Sequence, residues 1–191
     1  DQNKFDGFFT FNSNGSNSLN ETNSLETNII NDISFSSNNY ISNLGLNTSY
    51  SIDLKNLNSI GKKTSKYKSS PQLELLSIFN TNISLPLIKK TDNYTNLFTP
   101  KLSLRFNPSD MKNNSSSKNK IDVNNIFAIN RLGLSDTLES GKSLTVGFDF
   151  TKEKKNDLDK INNYFEFKLA TVLRDDEENF IPKQSTLNKK L

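Results

Sequence analysis

Apolar and polar side chains alternate with a period of two residues in one stretch of this chain after another. In residues 44–54, Leu44, Leu46, Tyr50, Ile52 and Leu54 fall on one side of an extended chain, and mostly polar residues fall on the other. The pattern returns in residues 101–106 and 143–151. Successive side chains of a β-strand point to opposite faces, so each stretch predicts a strand with one apolar and one polar face. Many such strands in series predict a barrel or a sandwich.

The composition favours a barrel in a membrane. Only 32% of the 191 residues are hydrophobic and the mean hydropathy is −0.65, whereas soluble domains carry about 45–50% apolar residues. A transmembrane β-barrel turns its apolar side chains to lipid in single file around a polar lumen, so it needs few of them. The alternation and the 14 Phe and 5 Tyr residues argue against disorder.

The expected fold is an all-β, antiparallel transmembrane β-barrel, of which this chain supplies about eight strands. The predicted strands are residues 5–12, 28–37, 41–54, 72–87, 97–107, 121–131, 143–151 and 162–173. Several reach about ten residues, the length a tilted strand needs to cross a bilayer. The long connections 13–27, 55–71, 108–120 and 152–161 are expected at the cell exterior. The connections 37–41, 88–96 and 132–142 are expected on the periplasmic side.

Two prolines fall inside predicted strands. Because proline cannot donate to the strand ladder, we expect Pro86 near the periplasmic end of its strand and Pro100 near the same rim of the next, flanking a turn at residues 89–93.

The composition also narrows the chemistry. The chain has no Cys and no His, which excludes disulfides, thiolate metal sites and the usual nucleophile–histidine catalysis. The acidic run 175–178 is typical of a solvated segment. We therefore predict no enzyme and no cofactor. The basic residues form no stripe with interleaved aromatic residues, so nucleic-acid binding is disfavoured. Lys62, Lys63, Lys66 and Lys68 cluster in one predicted loop, which is either simply solvated or in contact with anionic head groups.

Two motifs carry a resemblance to a known family. The first, in residues 84–100, contains Leu85, Pro86 and Leu87 and ends in Leu97, Phe98, Thr99 and Pro100. The second, in residues 122–148, contains Asp122, Asn125, Ile126, Phe127, Asn130, Arg131, Gly133, Asp136, Glu139, Gly141, Val146, Gly147 and Phe148. Together they resemble a hairpin and a strand–turn–strand signature of the LptD family, the lipopolysaccharide-assembly (organic solvent tolerance) proteins of the Gram-negative outer membrane.

The resemblance implies transport of lipopolysaccharide and its insertion into the outer leaflet of the cell outer membrane. Residues 1–191 would form an internal part of the barrel, with the periplasmic jellyroll and the other strands outside this chain. The expectation of an internal part also rests on the end at Lys189, Lys190 and Leu191, which lacks the aromatic C-terminal residue typical of complete barrels. The implied partners are lipopolysaccharide, a plug lipoprotein of the LptE kind, a periplasmic bridge protein of the LptA kind and outer-membrane lipids. Two alternatives stay open: a general or substrate-specific outer-membrane porin, and a soluble carbohydrate-binding sandwich.

Specific side chains follow from these patterns. Arg131, at a predicted strand end, has Asp136 and Glu139 within reach as partners for an ion pair that would fix the turn against the lumen. The alternation predicts a lumen-facing set of polar residues: Lys101, Ser103, Arg105, Thr145, Asp149, Glu166 and Lys168. Cysteine at Ser103 is expected to meet water, and cysteine at Leu104 to meet lipid.

Overall fold

A computed structural model of the chain describes residues 6–20, 23–155 and 161–185. Phe5, residues 21–22 and 156–160 of two predicted connections, and the chain end at Lys189–Leu191 lie outside the described residues. The described part contains nine β-strands: β1 (Gly7–Asn20), β2 (Ser24–Ser37), β3 (Tyr40–Ile41), β4 (Asn47–Lys62), β5 (Gln72–Ser84), β6 (Leu87–Lys90), β7 (Tyr94–Asn107), β8 (Gly141–Lys155) and β9 (Ile161–Arg174). Within these residues no helix has the length and apolarity required to cross a membrane.

All nine strands belong to one antiparallel sheet. Its order is β1-β2-β4-β5-β7-β8-β9, with β3 paired to β4 and β6 paired to β7. Each strand on this path therefore lies beside its neighbours in the sequence, apart from the two short additions. The sheet of described residues is open, with β1 and β9 at its two edges. The all-β antiparallel prediction is confirmed at this level.

One predicted strand is wrong. Residues 121–131 form a series of turns, in which the backbone N–H groups of Asn125 and Ile126 donate to the Asp122 carbonyl at 3.2 and 2.9 Å. The alternation that resembles a strand runs through Ile121, Val123, Phe127 and Ile129. In the turns, Ile121 is instead buried with Ile126 in one apolar cluster. With this strand removed, the β8–β9 connection falls at the opposite end of the sheet from the β7–β8 connection. The prediction that residues 152–161 emerge at the same end of the strands as 108–120 is therefore also wrong. So is the prediction that 132–142 lie at the opposite end from 108–120, because both belong to the β7–β8 connection.

The predicted polar loop 13–27 is for the most part strand. β1 runs to Asn20 and β2 starts at Ser24, with paired residues throughout. Side-chain hydrogen bonds link the polar positions across the strands: Ser13 Oγ donates to Asn31 Oδ1 at 2.7 Å and Thr27 Oγ1 donates to Asn17 Oδ1 at 3.2 Å. Likewise β4 continues to Lys62, so that its loop begins at Lys63. Hydropathy misses such strand extensions because polar pairs stabilise them.

The two prolines lie near a break between β5 and β6, the two strands that pair with the same side of β7. Pro86 lies between β5 and β6, which pair with the two halves of β7 in turn. Pro100 is inside β7, six residues from the start of that strand, and not near the rim as predicted. Its carbonyl accepts the Leu85 N–H at 3.1 Å. In a strand, the N–H and the carbonyl of one residue point toward the same neighbouring strand. The N–H that Pro100 lacks would therefore point toward the side of β5, at a position beyond the end of β5.

The two faces of the sheet differ in character. One face, called here the apolar face, carries exposed side chains such as Phe79, Leu104, Phe167 and Leu169. The other, called here the covered face, carries polar side chains and lies beneath residues 108–140, called here the inward segment. The inward segment packs on β5, β7, β8 and β9 and positions the candidate site.

Candidate functional site: the covered polar face

The strand register places the predicted lumen-facing residues on one face. Directly opposed residues in antiparallel strands point the same way, and Ser103 opposes Thr145, while Asp149 opposes Lys168. The same alternation puts Lys101, Arg105 and Glu166 on this face too. Lys101 forms an ion pair with Asp149, and Lys168 forms one with Glu166 at 2.8 Å. All seven predicted residues thus lie on the covered face.

The covered face is divided between buried and open parts. Under the inward segment, Ser103 and Thr145 are each 0% exposed, and Ser103 Oγ donates to Asn80 Oδ1 at 2.8 Å. The expectation that Ser103 meets water is therefore wrong, because a folded loop covers it. Glu166 and Lys168 lie nearer the other end of β9 and keep about a third of their side-chain area exposed.

The inward segment has a small apolar core of its own. Two adjoining clusters hold it: Met111, Ile121, Ile126, Leu132, Leu134, Val172 and Ile181 in one, and Leu76, Ile78 and Leu138 in the other. Val172, Leu76 and Ile78 come from strands, so the clusters join the segment to the sheet. Ile181 comes from the chain after β9, where Lys183 N–H also donates to the Ser115 carbonyl at 3.2 Å. These contacts fix the segment against the covered face.

A buried carboxylate ties the segment to two strands. Glu139 Oε2 accepts from Arg131 Nε at 2.7 Å, and Glu139 Oε1 accepts from Arg131 Nη2 in a bidentate contact. Arg174 of β9 also donates to Glu139 Oε1, and Arg105 Nη1 of β7 lies 3.4 Å from Oε2. Arg131 reaches the sheet directly through Thr145 Oγ1 at 3.1 Å. One carboxylate therefore serves three guanidinium groups from three parts of the chain.

The charges around Glu139 fix its ionisation. Burial by itself raises the pKa of this carboxyl, but the hydrogen bonds and charge of Arg131, followed by the charges of Arg105 and Arg174, outweigh burial and lower the pKa well below its usual value. The carboxyl is consequently ionised at any physiological pH.

The signature residues around this cluster build the turns of the inward segment. Asn125 Oδ1 accepts the Asp122 N–H at 2.9 Å. Asn130 binds Leu134 twice, through its amide nitrogen at 2.8 Å and its carbonyl oxygen at 3.1 Å, around Gly133. Gly133 has a φ of +61°, in the left-handed region that favours glycine. These residues set the path that brings Arg131 and Glu139 together.

Two glycines of the signature act at strand β8. Gly141 starts the strand with a φ of +81°. A Cβ on Gly147 would lie 2.5 Å from the Leu169 carbonyl oxygen and 2.7 Å from the Ala170 Cβ, so the close pairing of β8 with β9 requires glycine there.

The other predicted positions have separate surroundings. Asp136 lies away from Arg131 and lines a cavity beside Lys66 and Lys112, so Glu139 alone of the two predicted carboxylates binds Arg131 in the described structure. Phe127 packs on the larger apolar cluster with the Lys101 ammonium 5.6 Å from its ring centroid. Pro86 is exposed at the break between β5 and β6.

Sequence reasoning missed Arg174 and linked Arg105 to no partner. The period of two in β9, through Lys168, Ala170 and Val172, extends to Arg174 on the same face and was the available signal. Which carboxylate these arginines reach depends on the fold of the inward segment, which the alternation does not describe. Among the described residues, no three His, Cys, Asp or Glu side chains form a group able to hold a metal ion.

Comparison with known families gives one match. The model of the family described as LptD, LPS transport system D, matches residues 5–189, nearly the whole chain. No curated protein sequence matches the chain. The matched residues include all nine strands of the described sheet and the inward segment with its Arg131–Glu139 pair. The chain belongs to the LptD family.

Proposed function

We propose that this chain is an arc of the wall of a transmembrane β-barrel in the outer membrane of a Gram-negative bacterium, and that the barrel inserts lipopolysaccharide into the outer leaflet. The apolar face contacts lipid. The covered face lines the lumen, where the saccharide part of the lipid finds water and polar side chains. The family match supports the assignment of transport. The difference between the two faces of the sheet supports the assignment of one face to lipid and of the other to the lumen.

The exposure of large apolar side chains supports the lipid contact. Leu104 is 49% exposed and Leu169 is 56% exposed, and Phe9, Phe11 and Leu75 on the same face are more exposed still. In water, an apolar surface of this extent along seven long strands would drive aggregation. In a bilayer it meets acyl chains, and the low overall hydrophobicity of the chain needs no other account.

The position of the apolar side chains supports tilted strands. On β9 the outward apolar residues run from Phe165 to Leu173, while on β2 they run from Leu25 to Phe35. Directly opposed residues can be followed across the sheet from Phe35 of β2 to β8. They lead to Lys142, at the start of β8, through Ile52, Phe79 and Phe106. The apolar band therefore steps along the strand direction from β9 to β2. Strands tilted by about 35–45° from the membrane normal produce such a shift.

The lengths and edges of the sheet support an arc of a larger barrel. The seven long strands have 13 to 16 residues, more than the nine to eleven that a tilted strand needs within the hydrocarbon. Their extra length carries the β4–β5 loop beyond one side of the membrane, while the inward segment folds back from that side over the covered face. The open edges at β1 and β9 are the places where further strands of the barrel would pair.

The remaining partners follow from this proposal. A plug lipoprotein of the LptE kind would occupy the lumen next to the covered face, and a periplasmic bridge protein of the LptA kind would deliver lipopolysaccharide from the periplasmic side. Outer-membrane lipids would surround the apolar face.

Depletion of the full-length protein in its host tests the proposal. Newly made lipopolysaccharide is pulse-labelled, and the fraction at the cell surface is measured beside the uptake of a small hydrophilic solute. We expect lipopolysaccharide to stall on the periplasmic side while solute uptake is maintained. Unchanged surface lipopolysaccharide with reduced solute uptake would refute the proposal and favour a porin.

A further inference from the structure

Lysines end the apolar face at the end of the sheet opposite the β4–β5 loop. On β8 the apolar-face position Phe150 is followed, in the same alternation, by Lys152 and Lys154. Lys89 of β6 lies in one row with Lys152, because both are directly opposed to Asn96 of β7. These side chains therefore continue the apolar face and not the covered face. Together they are called here the lysine rim: Lys89, Lys152 and Lys154.

The lysine rim adjoins a band of aromatic side chains. The rings of Phe150 and Phe165 meet edge to face with their centroids 6.3 Å apart, and Phe165 is directly opposed to Lys152. Tyr94 of β7 is directly opposed to Lys154. In transmembrane barrels, aromatic residues mark the level at which the hydrocarbon gives way to the head groups. The rim therefore lies at the level where head groups begin.

Tyr94 brings two of the lysines close together. The Lys152 Nζ is 4.4 Å from the centroid of the Tyr94 ring, and the Lys154 Nζ is 6.0 Å from it. An ammonium is attracted to the face of an aromatic ring at such distances. The ring positions the two ammonium groups but carries no net charge to neutralise them. An anion that contacts both would relieve their mutual repulsion.

The rim has no acidic partner in the part of the chain that the structure describes. None of its lysines forms an ion pair there, whereas Lys101 and Lys168 of the covered face are each paired with a carboxylate. Glu153 is next to two rim lysines in the sequence, but it points to the covered face because successive strand residues alternate. Lys89 and Lys152 are exposed. The rim thus presents positive charge on the apolar side of the sheet.

We propose that the lysine rim binds the head groups of anionic phospholipid in the leaflet at this end of the strands. The inference rests on the proposed function, because it takes the apolar face to contact lipid. The opposite leaflet is the one that receives lipopolysaccharide, so phospholipid is the lipid that the rim meets. Lysine stems extend along apolar surface while the ammonium reaches the phosphate level. Charge complementarity selects phospholipid with a net negative head group over a zwitterionic one.

The experiment measures phospholipid binding to the purified full-length protein in a non-ionic detergent. Phosphatidylglycerol with a fluorescent acyl chain is titrated against the protein and followed by anisotropy, and phosphatidylcholine with the same chain is the comparison without net charge. The variant combines Lys89→Gln with Lys152→Gln. A lysine near an anionic lipid surface strengthens binding roughly fivefold. We therefore expect the variant to bind phosphatidylglycerol at least about tenfold more weakly than the wild type, with phosphatidylcholine unaffected.

Two controls separate the rim charge from other effects. Lys142→Gln is the matched control, because Lys142 lies on the same strand and face at the other end, where its Nζ is 3.7 Å from Asp175 Oδ2. We expect it to bind phosphatidylglycerol like the wild type. The variant with Lys89→Arg and Lys152→Arg keeps both charges, so we expect it to retain the affinity, which a folding defect would not explain.

Four results would overturn the inference. The first two are equal binding of phosphatidylglycerol by the wild type and the glutamine variant, and equal binding of the two phospholipids by the wild type. The others are displacement of phosphatidylglycerol by inorganic phosphate, and tighter binding of lipid A, the lipid part of lipopolysaccharide, through the same lysines.

The outcome is distinguishable from that of the depletion experiment. If depletion stalls lipopolysaccharide while the wild type does not prefer phosphatidylglycerol, this inference fails and the proposed function stands. If surface lipopolysaccharide is unchanged while the preference depends on the lysine rim, the proposed transport fails and this inference stands.

Discussion

Removal of the Arg131 side chain is expected to release the inward segment from the sheet. Arg131 is 2% exposed and makes a bidentate contact with Glu139 as well as a hydrogen bond to Thr145. Breaking a buried ion pair by removing one partner costs about 3–5 kcal/mol. Arg105 and Arg174 remain on Glu139 after Arg131→Ala, so the carboxylate keeps a counter-charge. We therefore expect the low end of the range, about 3 kcal/mol.

The opposite change is expected to cost more. Glu139→Gln leaves three buried guanidinium groups without the carboxylate that they share, so we expect about 5 kcal/mol, the high end for a broken buried pair. Glu139→Gln is expected to destabilise the segment more than Arg131→Ala does, because the one carboxylate binds three guanidinium groups.

Hydrogen exchange with mass spectrometry on the full-length protein measures this effect directly. Peptides from residues 108–140 report the local opening free energy, and Lys120→Ala, at an exposed position of the same segment, is the control. A loss of about 3 kcal/mol in Arg131→Ala corresponds to roughly 150-fold faster exchange. Exchange as slow in Arg131→Ala as in the wild type, or a larger effect for Arg131→Ala than for Glu139→Gln, would refute the account of the cluster.

Three further results are expected. The pKa of Glu139 is lowered in the folded protein, so the stabilisation of the fold by this carboxylate is complete above the unfolded pKa near about 4.3. It falls by up to about 1.4 kcal/mol per pH unit below that value. Hydrogen exchange of the inward segment, corrected for the intrinsic rate, should therefore accelerate in acid in the wild type and much less in Glu139→Gln. Ser103→Cys should resist a water-soluble maleimide and become reactive when combined with Glu139→Gln, whereas Leu104→Cys should react only with a lipid-soluble reagent; labelling of Ser103→Cys in the otherwise native protein would contradict the covered face. Gly147→Ala should lower thermal stability by about 1–3 kcal/mol through the close contact with Leu169 and Ala170, while Gly15→Ala, where a Cβ would meet its nearest atom at 3.6 Å, should leave the melting temperature unchanged.

The alternation predicted the sheet well where one face is apolar. Stretches such as Leu102 to Phe106 and Leu144 to Phe150 lie in β7 and β8, because burial against lipid or protein selects one side chain in two. The same rule predicts Lys101, Ser103 and Thr145 on one face, because each alternates with apolar neighbours on its own strand.

The rule failed where side-chain hydrogen bonds replace hydrophobic contacts. Ser13, Asn17 and Thr27 looked like a loop, yet they pair across β1 and β2. It failed again at residues 121–131, where Ile121 and Phe127 have the spacing of residues on one face of a strand but lie in turns, and Ile121 packs with Ile126 in an apolar cluster. Hydropathy does not distinguish these cases, because it records which side chains avoid water and not which partner they find.

The Glu139 cluster was only half predictable. Arg131 and Glu139 are eight residues apart, so a local turn was enough to suggest their contact. Arg105 and Arg174 come from strands on either side of β8, and their convergence on Glu139 depends on the whole path of the inward segment. No local pattern contains that path.

A photoreactive residue on each face of one strand tests the central claim most directly. Lys168 and Leu169 are neighbours on β9, with Lys168 on the covered face and Leu169 exposed on the apolar face. Each is replaced in turn by a photocrosslinking amino acid in the full-length protein, and cells are irradiated while pulse-labelled lipopolysaccharide is being exported. The account predicts an adduct with newly made lipopolysaccharide at position 168 that disappears when export is stopped, and adducts with membrane phospholipid at position 169. Export-dependent lipopolysaccharide adducts at position 169 and none at position 168 would contradict it.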